Sequence, residues 1–149
     1  AVGREALKAF TGSSATVVGS NAAVAATSAA GLTAVGYKAL AAATTTTLGG
    51  YNTALGSEAG LNCIRSSSTF IGNSAGMNVG YGIRNTTIGH QAMLGASAAA
   101  GSITSCGYAQ TTTTLTQRSM LISGLPELTL RKELTSQQLL VATVLSLRL

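Results

Sequence analysis

The apolar and polar positions of the chain follow a short unit that returns every 16 to 20 residues rather than a helical stripe. Glycines stand at positions 3, 19, 36, 56, 72, 89 and 107, each preceded by an apolar residue: Val2, Val18, Val35, Leu55, Ile71, Ile88 and Cys106. Three residues before the glycine stands a threonine in every unit long enough to hold one: Thr16, Thr33, Thr53, Thr69, Thr86 and Thr104. Three residues after it stands an alanine, Ala6, Ala22, Ala39, Ala59, Ala75 and Ala92, until Gln110 breaks the rule. A Thr-x-apolar run is a short β-favouring segment in which side chains two apart share a face. Gly permits a bend or a close backbone approach that a Cβ would block, and Ala is small enough to pack inside a narrow coil.

These columns predict an all-β, repetitive coil of about seven stacked rungs, with the apolar residue before each Gly inside and the stretches between units as outer loops. An Ala-rich helical reading is disfavoured, because a Gly in each unit costs roughly 1 kcal/mol and Thr and Val add to the cost. The seventh copy decays at Cys106 and Gln110. Beyond it the composition turns Leu-rich with Pro126, so residues 1–110 form the repeat region, and 111–149 a second unit that caps the stack or docks it to other chains. Strand and helix patterns both fit residues 139–149, which are too short for a membrane helix of ~20 residues, so no membrane insertion is expected.

Composition sharpens this picture. Of 149 residues, 46% are hydrophobic but mostly small, with two Phe, four Tyr and no Trp. A lone chain therefore has little bulky surface to bury, and backbone pairing between rungs or association with copies of itself must supply stability. The formal charge of +5 is scattered with no basic cluster longer than two residues, which argues against nucleic-acid binding. The repeat is already running at Ala1, so position 1 is not expected to be a natural translation start.

The segments Leu32-Thr33-Ala34-Val35-Gly36-Tyr37-Lys38-Ala39, Asn52-Thr53-Ala54-Leu55-Gly56-Ser57-Glu58-Ala59 and Asn85-Thr86-Thr87-Ile88-Gly89-His90-Gln91-Ala92 resemble the repeats of bacteriophage tail-fibre proteins. They are also similar to the head region of trimeric autotransporter adhesins. The resemblance covers about residues 1–110. It implies a left-handed β-roll (β-solenoid), intertwined or side by side as a homotrimer, in a virion fibre or, alternatively, a bacterial surface head that binds extracellular matrix or glycans. The expected partners are two further copies, other virion proteins and a host receptor or glycan. A long coiled coil, an outer-membrane barrel and a self-cleaving terminal domain, all known in these families, are not recognisable in the sequence. The residues carrying the structural repeat are Thr16, Val18, Gly19, Ala22, Thr33, Val35, Gly36, Ala39, Thr53, Leu55, Gly56, Ala59, Thr69, Ile71, Gly72, Ala75, Thr86, Ile88, Gly89 and Ala92.

Candidate chemistry is sparse, and no enzyme, cofactor or metal is expected. The chain has no Asp, four Glu (Glu5, Glu58, Glu127 and Glu133) and one His, so a Ser-His-Asp triad cannot be assembled. Glu5 and Glu58 lie three rungs apart, roughly 14 Å, beyond the ~5–9.5 Å of a glycosidase pair. His90 follows a repeat Gly and is read as an outward side chain. Cys106 is read as core and Cys63 as part of a variable stretch, too far apart for a disulfide. Gly80-Tyr81-Gly82 has no following Walker lysine and reads as a turn. A single outward Thr column falls short of the paired Thr columns of an ice-binding face. Receptor contacts are unassigned; the loops 44–47 and 78–84 are better placed for them than the repeat, which is taken up with folding.

Overall fold

A computed structural model describes residues 1–27, 30–42, 50–64, 67–79, 83–95 and 102–109 and the backbone of 120–124. Its strands are β1 (Ala15–Val18), β2 (Leu32–Val35), β3 (Thr53–Leu55), β4 (Thr69–Ile71), β5 (Thr86–Ile88), β6 (Ile103–Gly107) and β7 (Met120–Gly124), with no helix among the described residues. Each strand pairs in parallel with the next, so the sheet order is the chain order. The result is an all-β parallel solenoid, in which the chain circles once and returns above its previous strand.

The register follows the columns of the sequence. Thr16, Thr33, Thr53, Thr69, Thr86 and Thr104 lie side by side, as do Val18, Val35, Leu55, Ile71, Ile88 and Cys106. The strands are not, however, the seven units read from the sequence. The unit at Gly3 forms no strand: Val2 makes an isolated bridge with Val18. The turn after it stacks on the next rung through the Asn21 amide to the Arg4 carbonyl at 2.8 Å and the Leu7 amide to the Ala22 carbonyl at 3.2 Å. At the other end β7 adds a strand in which Gly124 aligns with Gly107, 17 residues on, and Leu121 stands level with Thr104.

Pairing continues round the coil, which explains why three-residue strands suffice. The amide two residues after each Gly donates to the rung before: Lys38 to the Ser20 carbonyl at 3.0 Å, Glu58 to Tyr37 at 2.8 Å, Ser74 to Ser57 at 2.8 Å. The residue four after Gly donates the other way, as Ala23 does to Ala39 at 2.9 Å and Leu40 to Ala59 at 3.0 Å. Buried amides are thereby satisfied between rungs rather than within elements.

The coil turns its corners with left-handed backbone. Asn21, Lys38, Glu58, Ser74 and Gln91, two residues after Gly, have φ of 52–57°. Ala23, Leu40 and Met93, four after Gly, have φ of 48–55°, and Gly60 and Gly76 take that place in the intervening units. Each non-glycine residue so held costs on the order of 1–2 kcal/mol. The repeat Gly itself is extreme: Gly56 has φ +139°, and a Cβ there would sit 2.5 Å from the Gly72 carbonyl oxygen. Glycine is required because successive rungs touch backbone to backbone at this bend.

The interior differs from expectation. The apolar residue before each Gly was expected inside, and it points outward: Val18, Leu55 and Ile88 are 42–50% exposed. The period of two explains this, since Thr and the residue two later share a face. The buried strand positions are the residue after each Thr (Val17, Ala34, Ala54, Phe70, Thr87, Ser105) and the one before it (Leu32, Asn52, Ser68, Asn85, Ile103). The repeat alanines Ala22, Ala39, Ala59, Ala75 and Ala92 do line the core, joined by Leu40 and Met93. Cys63, read as part of an outer stretch, is buried, and Cys106, read as core, is half-buried in the outward column; no disulfide joins them.

Candidate functional site

Two surfaces carry the candidate function: the outward face of the sheet and the corner where the chain enters each strand. On the outward face the Thr column runs beside the apolar column Val2, Val18, Val35, Leu55, Ile71, Ile88, the two separated by one pleat, roughly 7 Å. Val2 is 67% exposed at one end; towards the other the column passes to Cys106 of β6 and the Ser123 position of β7. A parallel sheet is ordinarily covered on both faces, and this one shows a continuous apolar row on its outer side. The second column is aliphatic rather than Thr, so the face lacks paired Thr columns although both rows lie outside.

The inward face supplies a ladder that the sequence reading missed. Ser68 N–H donates to Asn52 Oδ1 at 2.9 Å, Asn85 N–H to Ser68 Oγ at 3.2 Å and Ile103 N–H to Asn85 Oδ1 at 3.1 Å. At the corresponding position of β2, Leu32 N–H instead uses the Ser14 carbonyl at 3.1 Å. A polar residue directly before Thr53, Thr69 and Thr86 was the available signal. The Asn85 Nδ2 group is buried without a partner, and Thr87 Oγ1 donates to Met93 Sδ at 3.4 Å.

The candidate chemical groups are scattered. Glu5 pairs with Lys8 at 3.4 Å on the exposed first turn. His90 points outward and stacks on Tyr108 of the next rung, with centroids 5.1 Å apart and planes 15° from parallel. Tyr37 lies under the Lys38 ammonium at 5.2 Å. Among the described residues, no three His, Cys, Asp or Glu side chains gather where they could hold a metal ion. No helix among them is long and apolar enough to cross a membrane. Of the loops favoured for receptor contact, 44–47 lies outside the described residues, as do 80–82; Arg84 is described and exposed. The capping or docking role expected of 111–149 and the strand or helix of 139–149 also fall outside them, apart from the β7 backbone.

No protein-family model, curated protein or solved structure matches the chain.

Proposed function

We propose that the chain is a structural, non-enzymatic segment of a virion fibre that supports attachment to a host cell. It acts as a homotrimer of left-handed coils that meet along their outward sheet faces. The observation that supports this best is the exposed apolar column Val2, Val18, Val35, Leu55, Ile71 and Ile88. Val2, Val18, Leu55 and Ile88 are exposed and Val35 and Ile71 half-buried, and burying aliphatic surface yields about 25 cal/mol per Å². Their alignment along the coil axis matches a rod-like partner running beside it, which a second and third copy would provide. The Thr column beside the apolar row adds β-propensity and a hydroxyl at the rim.

Sedimentation equilibrium tests the reading. The expected mass is three times the 14.8 kDa of one chain. Leu55→Lys with Ile88→Lys should reduce it to a single chain that keeps its β circular-dichroism spectrum, since both positions face outward. A wild-type monomer with its core intact would sink the proposal.

A further inference from the structure

We infer that the corner before the strands is a docking strip for an acidic saccharide, formed by Tyr51, Ser67 and Arg84. The inference deepens the attachment reading and rests on it. Two residues before the strand Thr, the six described units carry Ser14, Gly31, Tyr51, Ser67, Arg84 and Ser102, all at φ of 56–62° except Ser67 at 64°. Small residues serve this left-handed corner in four units, so Tyr51 and Arg84 are not what the turn itself requires. Neither is needed by the core: Tyr51 is 71% exposed and Arg84 is exposed.

The Tyr51 ring lies over Gly31. A Cβ on Gly31, one rung below, would lie 2.7 Å from Tyr51 Cδ1, so the missing side chain lets the ring lie against that backbone while the rest of it faces solvent. Next in the column comes the exposed Ser67, followed by Arg84, two rungs or roughly 10 Å from Tyr51. Among the described residues no carboxylate pairs with Arg84; the one ion pair is that of Lys8 and Glu5.

These groups fit a saccharide better than a peptide. The corner amides of Tyr51, Ser67 and Ser102 already donate to Ala30, Gly50 and Ile83 carbonyls at 2.6, 2.9 and 2.8 Å, so little backbone is left for an added strand to pair with. What is presented is one aromatic face with its negative quadrupole, suited to the C–H face of a sugar ring, a hydroxyl, and a guanidinium whose fork matches a carboxylate or sulfate. The spacing suits a ligand of about two sugar units carrying its acid group on the second.

The test is titration of the full chain, followed by saturation-transfer NMR, with a sulfated, carboxylated heparin disaccharide, neutral maltose and inorganic sulfate. The disaccharide should bind, with its ring protons saturated, at least about tenfold more tightly than either control. Tyr51→Ser and Arg84→Ser place at each corner the residue that other corners use, so both variants should fold and melt like the parent. Each should weaken disaccharide binding by about tenfold or more, the loss expected for one charge-assisted or stacking contact. Absence of disaccharide binding, equal binding of sulfate alone, or binding unchanged in both variants would overturn the inference. Saccharide binding by a monomer would refute trimeric assembly and leave this strip standing; a trimer that does not bind refutes only the strip.

Discussion

The two faces of the sheet obey different rules although they alternate residue by residue. Inward, the position after each Thr runs Val17, Ala34, Ala54, Phe70, Thr87, Ser105, a mixture of sizes and polarities. Outward, the Thr column is uniform and its neighbour is confined to Val, Leu and Ile up to β5. A close-packed core registers each methylene, so a change of size on one rung needs compensation from its neighbours. Here each rung solves its own packing: Phe70 is the largest inward strand residue, and both Gly60 and Gly76 give way to it. Among the described residues the outer face shows no such local compensation, yet it is the regular one. That regularity is what the proposed contact between coils would explain, and the variants below separate such a contact from folding.

The largest expected effect tests local compensation inside. Phe70→Ala should cost about 3–5 kcal/mol in denaturant unfolding, from lost burial and the cavity left behind. Gly76 has φ +60°, and a Cβ there would collide with Phe70 Cδ1 and Cε1. Gly76→Ala alone should cost about 2–3 kcal/mol. In the Phe70→Ala background most of that cost should vanish, because Ala23 shows that alanine tolerates this corner once no ring crowds it. A double-mutant cycle with coupling near zero would break the account of rung-by-rung packing.

Gly56→Ala probes the hinge between the two faces. The methyl group would meet the Gly72 carbonyl at 2.5–2.6 Å at a φ of +139°. Backbone opposes it from both the strain and the contact, so the expected loss is roughly 3 kcal/mol. The loss should appear as lower hydrogen-exchange protection of Gly72 N–H, which donates to the Leu55 carbonyl at 2.8 Å. A fully protected Gly72 amide in the variant would mean that the bend relaxes easily.

Most of the architecture was legible in the spacing. The Thr, Gly and Ala columns predicted stacked rungs with Ala inside a narrow coil; the strands do stack column on column, in parallel, and the repeat alanines line the core. Period, not hydrophobicity, separates inside from outside in this repeat: Thr33 and Val35 must share a face, and Val35 follows Thr33 outward. The β7 strand is not legible in the Thr column because Leu121 replaces Thr, although Gly124 keeps the 17-residue spacing. The corner strip was only half visible. Arg84 lay in a favoured loop, but nothing in sequence shows that Gly31 makes room for Tyr51 two units earlier, because that contact forms only after stacking.

The smallest effect separates the two faces at adjacent residues. Ser68 and Thr69 are consecutive, similar in chemistry and opposite in direction: Ser68 is buried and Thr69 half-buried. Ser68 Oγ is the acceptor for the Asn85 amide at 3.2 Å, so Ser68→Ala leaves a buried N–H without that partner and should cost about 1–3 kcal/mol. It should also speed hydrogen exchange at Asn85 while Ile103, served by Asn85 Oδ1 at 3.1 Å, stays protected. Thr69→Ala removes an outward hydroxyl and methyl and leaves the Thr69 amide bonded to the Asn85 carbonyl at 2.7 Å. Its expected cost in a single chain is about 0.5 kcal/mol, the range of surface substitutions. If Thr69→Ala proved the more damaging in a dissociated chain, the outward column would be serving the fold after all. If it proved so only in the assembled state, the regular outer face would be doing what its uniformity implies, holding one coil against another.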